Sequence, residues 1–270
     1  MYYFGSMKAP ITVVLIALYA ILSPAVARSQ DQNEKLTYLD ETGNPVKEKK
    51  AVFLQQVIHI DDTLWELDFY HIHGPRIKSF RCRDEQGKIL NGRFVSYSAS
   101  GWADTIGEYV NGKRSGFWSI YALMGRIAAQ QKYENGDLLW TKDTLQLNQH
   151  VDSLMKARKD SLHIQNFTKI EIESEFPGGA SGWLKYLNKN LRYPDDAVNR
   201  RIQGQVVVGF IVDTLGHIPV SSAWVNRSIE FSLDKEALRI ILNSPAWTPA
   251  SQNGRLVKSY KKQPIIFRLQ

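Results

Sequence analysis

In the C-terminal third of the chain the apolar positions switch between helical and extended spacing, and each switch marks an element. Trp183, Leu184, Leu187 and Leu191 follow helical spacing. Tyr193-Pro194 ends that helix, because the residue before a proline is pushed out of the α region. Pro194 can open a second short helix, with Asp195 and Asp196 at its positive end. GQVVVGFIVD (Gly204 to Asp213) reads as a strand and Asp213–Gly216 as a turn. HIPVSSAWV (His217 to Val225) reads as a returning strand, on a sheet edge because Pro219 has no N–H. Ser232 is an N-cap candidate, with Asp234 and Glu236 in the first turn. Leu233, Ala237, Ile240 and Ile241 make one apolar face, and Pro245 stops the helix. Trp247 is held between Pro245 and Pro249, Gly254 permits a reversal, and Leu256 to Leu269 reads as the final strand. The order predicts an α+β unit with helices on one face of a small antiparallel sheet.

The first half has a different rhythm. Gly92-Arg93-Phe94 recurs as Gly116-Phe117-Trp118, Tyr97 as Tyr121, Gly101 as Gly125, Tyr109 as Tyr133, and Asn111-Gly112 as Asn135-Gly136. The spacing is 24 residues throughout, the mark of stacked supersecondary units. Short aromatic runs between Gly turns argue for β-hairpins, and Asn-Gly supplies the positive φ of a tight hairpin turn. Leu36 to Gly87 has the same texture of short strands and turns. Between the halves, Leu147, Val151, Leu154, Met155 and Leu162 follow helical spacing with charges between them, which predicts a helical linker over 142–167. The predicted organisation is a hairpin-repeat sheet over 28–141, this linker, and the α+β unit over 168–270.

Charge and composition narrow the function. A net charge of +7 is spread along 270 residues without a long block of one sign, so nucleic acid is not an expected partner. Residues 1–27 read as an export signal: Lys8, the apolar run Ile11 to Leu22, then Ala25-Val26-Ala27. Retained as an inner-membrane anchor facing the periplasm, the same run would be short for a span, and membrane contact is expected only in that case. Cys82 is the single cysteine, so no intrachain disulfide forms, and a buried apolar role is expected. His71 and His73, with His59 as a third, make a weak metal set without a placed carboxylate or cysteine. Glu171, Glu173 and Glu175 alternate as on a solvated strand face. Asn111–Gly116 lacks the spacing of a phosphate loop. No catalytic residue, metal or cofactor is expected.

Two resemblances follow from these residues. GRFVSYSASG (Gly92 to Gly101) and GFWSIYALMG (Gly116 to Gly125) resemble the MORN-type repeat, whose aromatics pack between successive hairpins. Tyr193-Pro194, Ala197, Ile202, Gly204, Val206, Val208, Phe210, Val212 and Gly216 begin a second pattern. Leu233-Asp234, Glu236 to Arg239, Trp247, Pro249, Gly254, Val257, Pro264-Ile265 and Phe267 complete it. In order and spacing this resembles the TonB C-terminal domain. The resemblance implies a sheet with the second strand on one edge and the last on the other. It also implies a non-enzymatic role, in which the last strand takes an extended segment of an outer-membrane transporter, or of another envelope protein, as an added strand. Carried over by position, the partner-binding residues would be Val257, Lys258, Ser259, Tyr260 and Lys261, with Arg192, Tyr193 and Pro194 near the same groove. A homodimer stays open. So does a protected edge, since Lys258, Lys261, Lys262 and Pro264 are also how chains prevent strand pairing. The chain departs from energy-transducing TonB proteins in having no histidine before Gln30 and no proline-rich spacer. The expected location is the periplasm. The competing readings are a membrane-anchored transducer and an envelope module that binds through its repeats.

Overall fold

The nine N-terminal strands run in strict chain order through one antiparallel sheet, each bonded to the next. They are β1 (Glu34–Leu39), β2 (Phe53–Asp61), β3 (Leu64–His71), β4 (Arg76–Cys82), β5 (Leu90–Tyr97), β6 (Ala103–Val110), β7 (Lys113–Tyr121), β8 (Ile127–Glu134) and β9 (Asp137–Asp143). This is a computed structural model; it describes residues 33–122, 127–143 and 171–269, all within one compact unit, Asn33–Gln270. The expected export signal and the body of the expected helical linker lie outside the described residues. The period of 24 residues is the step from the hairpin β5–β6 to the hairpin β7–β8. Asn111-Gly112 and Asn135-Gly136 both have positive φ at both positions, the geometry of the tight turn that joins twisted strands without splaying them.

Alternation gives the sheet two different faces. On one face Phe94, Tyr109, Trp118 and Tyr133 touch in series, with centroid separations of 5.1–6.0 Å. Val57, Leu67, Phe80 and Cys82 are buried on the same face as Phe94. The other face carries Asp68, Tyr70, Arg76, Arg81, Arg93, Val95 and Tyr97, and against it lies the C-terminal part of the chain.

That part contains β10 (Glu171–Ile172), α1 (Gly179–Asn190), α2 (Asp195–Asn199), β11 (Gly204–Val212), β12 (Trp224–Arg227), α3 (Phe231–Leu242), β13 (Ala250–Gln252), β14 (Arg255–Val257) and β15 (Ser259–Phe267). The sheet order is β12-β11-β15, with a separate ribbon β10-β13-β14. The core lies between the sheet and the helices: Val206, Val208, Phe210 and Val212 of β11 and Ile265 and Phe267 of β15 meet Leu233, Ala237, Ile240 and Ile241 of α3. Trp247 is 5% exposed and packs on Phe176, Trp183 and Phe210. Its backbone N–H donates to Gly216 O at 2.8 Å. A Cβ on Gly216 would lie 2.0 Å from Trp247 O, so only glycine lets the Pro245–Pro249 corner close on the β11 turn.

Three boundary expectations are corrected. The returning strand is only Trp224–Arg227; Val220–Ser222 form a 3-10 turn instead, with Ser222 Oγ donating to Pro219 O at 2.7 Å. The α3 N-cap is Glu230, whose carboxylate accepts from Ser232 N at 2.8 Å, so Ser232 is capped and is not the cap. The final strand is broken at Lys258, because Arg255–Val257 turn back on β13 through the Asn253-Gly254 turn before β15 begins.

The candidate partner-binding edge

The central strand of the three-stranded sheet is β11, which leaves β12 and β15 as its edges. The β12 edge is closed by the N-terminal sheet. Trp102 bridges to Arg227, Ser228 N donates to Gly101 O at 2.8 Å, and Tyr97 Oη donates to Val225 O at 2.7 Å. The solvent side of this sheet is partly covered as well. Trp224 and Tyr260 stack with centroids 5.2 Å apart, and the Arg93 guanidinium lies 4.2 Å from the Trp224 ring. Gly209 makes room for that stack, since a Cβ there would stand 2.8 Å from Tyr260 Oη.

The β15 edge differs. Among the described residues no strand pairs with it on its outer side. Beside it runs α1, and between them lies an open groove of about 550 Å³, lined by Leu184, Leu187 and Leu191 on one wall and Pro264 and Ile266 on the other. Leu184 is 59% exposed and Ile266 49%. An extended segment laid against β15 would continue the sheet at the ordinary inter-strand spacing of about 4.8 Å. Its side chains on the helical side would then meet Leu184 and Leu187. Pro264 brings no N–H, as suits a position on an edge.

The expected site residues fall into two groups at opposite ends of this edge. Val257 belongs to β14, paired with Ala250, and Lys258 sits at the break, so neither lies on the last strand. Ser259, Tyr260 and Lys261 open β15, opposite Val212, Ile211 and Phe210. Tyr193 is at the other end: its ring meets Phe267 edge-on at 5.6 Å, and its hydroxyl donates to Ile202 O at 2.6 Å. Pro194 caps α2. Arg192 is fixed through its backbone, whose N–H donates to Glu236 Oε1 at 2.7 Å, while Arg239 holds the same carboxylate. One groove beside all eight residues is therefore not what forms.

The near end of β15 is crossed by the chain's own segment before α1. Ser259 Oγ bonds Ser174 Oγ at 2.7 Å, and Lys261 Nζ donates to Glu173 Oε2 at 2.8 Å. Hydrogen bonding and charge from Lys261 hold the Glu173 carboxyl below the usual carboxylate range. A smaller cavity of about 240 Å³ lies between the two segments.

Leu184 and Ile266, which the motif places at no site, both line this groove, and both left a signal in the sequence. Ile265-Ile266-Phe267 is continuous where a half-buried strand should alternate. The α1 stripe also carries one more apolar residue than its core contacts use. The histidines do not converge. His59 stacks on Trp65, His71 closes β3, and His73 sits in the following turn at φ 59°, against Arg200. Among the described residues no group of three His, Cys, Asp or Glu side chains could hold a metal ion, and no helix is long and apolar enough to cross a membrane.

Residues 189–269 match the family model described as Gram-negative bacterial TonB protein C-terminal. No match was found among curated proteins or among solved structures.

Proposed function

We propose that this chain, whose residues 189–269 form a TonB C-terminal domain, is a non-enzymatic cell-envelope protein acting in TonB-dependent outer-membrane transport. It takes an extended segment of an envelope partner, an outer-membrane transporter foremost, as an added strand beside β15. The observation that carries this reading is the open β15 edge under the apolar overhang of α1. Main-chain bonds to the edge supply affinity, and the pockets for alternate side chains supply selectivity. The family match supports the transport context and an interaction role rather than catalysis. The chain is exported, and its domain works in the periplasm. The MORN-like hairpins serve as the base that covers the solvent side of the domain and closes the competing β12 edge.

The test is Ile266→Glu in the full chain, made in its own cells. The side chain is exposed, so the fold should persist, as circular dichroism checks. Co-purification of an outer-membrane transporter should fall at least tenfold. Undiminished recovery of the transporter by a folded Ile266→Glu chain would show that the edge is not the site.

A further inference from the structure

We infer that the Glu173–Ser174 segment is a built-in occupant of the first half of the β15 edge, so that a partner strand pairs along Gln263–Phe267 alone. The inference rests on the strand-addition reading and concerns its register.

The segment is tied down on its far side. Ile172 pairs with Ser251 in the ribbon, and Glu175 exchanges both backbone bonds with Thr248, at 3.1 and 2.8 Å. It is therefore not a loose tail that drifts onto the edge. From that base Ser174, 2% exposed, reaches Ser259, and Glu173 reaches Lys261. Lys261 shares its side of β15 with Ile265 and Phe267, the side toward the helices. A partner side chain there would meet the carboxylate of Glu173, a side chain that is 84% exposed and holds Lys261 from the solvent side, so the part-buried Ser174–Ser259 contact is the firmer of the two ties.

Past Lys262 the situation changes within one strand. The groove there is lined by Leu184, Leu187 and Asn188 of α1, by Leu191 just after it, and by Gln263, Pro264 and Ile266 of β15, none of them charged; Gln263 is on the helical side of the strand and Pro264 and Ile266 on the other. An uncharged, mainly apolar groove beside an unpaired strand fits an extended, mainly apolar segment that bonds through its backbone. Gln263–Phe267 offers roughly 16 Å of edge, at about 3.3 Å per residue. The partner is thus a stretch of about five residues with apolar side chains at alternate positions, ending where Glu173 begins.

The experiment compares two photoreactive positions in the full chain in its own cells. Tyr260→p-benzoylphenylalanine and Ile266→p-benzoylphenylalanine both leave the Glu173 and Ser174 contacts intact. The expected result is capture of one outer-membrane transporter segment, identified by peptide mass, from position 266 and at least tenfold less from position 260. In a Glu173→Ala/Ser174→Ala background, capture at 260 should rise severalfold while 266 is unchanged. Equal capture from both positions with the segment intact would overturn the register and leave strand addition standing. A failure of the double variant to raise capture at 260 would overturn the role given to Glu173 and Ser174. No transporter captured at either position would overturn strand addition itself.

Discussion

Arg76 of β4 and Asp234 of α3 lie 3.9 Å apart in the joint between the two parts of the chain, 2% and 0% exposed. Asp68 stands 3.1 Å from the same guanidinium on the other side, and the Tyr70 hydroxyl accepts from Arg76 Nε at 2.8 Å. Ser228 completes the knot: its hydroxyl accepts from Arg76 N at 2.7 Å and donates to Asp234 Oδ2 at 2.6 Å. One buried cation thus serves two buried carboxylates. Removing it strands both, which typically costs about 3–5 kcal/mol. Arg76→Met is expected to lower the unfolding free energy obtained from urea titration by that amount, with a matching fall in the midpoint, and to separate the N-terminal sheet from the C-terminal domain in limited proteolysis. An unchanged midpoint would mean that the joint is held by its apolar contacts alone.

The same knot makes stability depend on pH. Burial raises Asp68 to about 6 and Asp234 to about 7, against an unperturbed 3.8, with Arg76 opposing the rise at each. Glu66 adds to the rise at Asp68 and Glu230 at Asp234; Arg81 also opposes it at Asp68. In the folded state these carboxyls bind protons that the unfolded chain has already released. Stability therefore rises as pH falls from above 7 toward 4, and is lost as pH climbs through the folded-state values. One proton taken up between pH 7.5 and 5.5 corresponds to roughly 2 kcal/mol. Urea midpoints at the two pH values should show that gain, and Asp234→Asn should flatten most of it. A protein more stable at pH 7.5 than at 5.5 would contradict the sign.

Gly101 is where the hairpin sheet meets the chain just after β12. A Cβ there would lie 2.0 Å from Ser228 O, and φ is +80°. Gly101→Ala therefore has to break the Ser228–Gly101 bond as well as strain the backbone, and a loss of about 2–4 kcal/mol is expected. Gly43→Ala is the control: φ is +84° but nothing lies within 4 Å, so only the strain of about 1–2 kcal/mol remains. Thermal melts of the two variants separate the contributions, and equal losses would remove the contact from the account.

Much of this architecture could be read from the chain before its structure, and the failures have physical causes. Tyr193-Pro194, the Asn-Gly turns and the run GQVVVGFIVD act locally, so their elements appear where expected. The joint was not legible. In β3 the residues Glu66, Asp68 and Tyr70 alternate with Trp65, Leu67 and Phe69, a period that separates two faces without saying what covers the polar one. That face is turned to α3 and β12, and its charges are satisfied by residues far along the chain: Arg76 by Asp234, and Arg81 by the Ser221 carbonyl at 2.9 Å. A lone polar residue in a strand carries no period that could announce such a partner. The expected edge run Val257–Lys261 is split between two strands, because the break at Lys258 depends on the ribbon pairing Ala250 with Val257.

Cys82 is 0% exposed, and its Sγ donates to Asp84 O at 3.1 Å. Burial raises the thiol above its ordinary value. The thiolate is the reactive form, so the native protein should resist Ellman's reagent at pH 8. Labelling should appear only in urea, with the midpoint of the folding transition. Stoichiometric labelling within minutes in native buffer would show that the face around Phe80 and Leu67 opens readily.

Gly107 gives a sharper test of how the hairpins are packed. It lies opposite Phe94 in the β5–β6 ladder, and a Cβ there would stand 2.1 Å from the Trp118 ring. Trp118 is 1% exposed and is touched by Phe94, Tyr109 and Tyr133, so the ring has nowhere to move. The repeat does not announce this need, because one period later the position facing Trp118 is Gln131. Gly107→Ala forces the ring off its rotamer or the strands apart, an overpacking cost of about 1–3 kcal/mol. In a Trp118→Leu background, itself destabilised by the lost indole, adding Gly107→Ala should cost much less, since the shorter side chain vacates the space the methyl needs. The check is a double-mutant cycle on urea midpoints. Additive losses, with no coupling between positions 107 and 118, would show that Gly107 is set by the strand backbone and not by the indole.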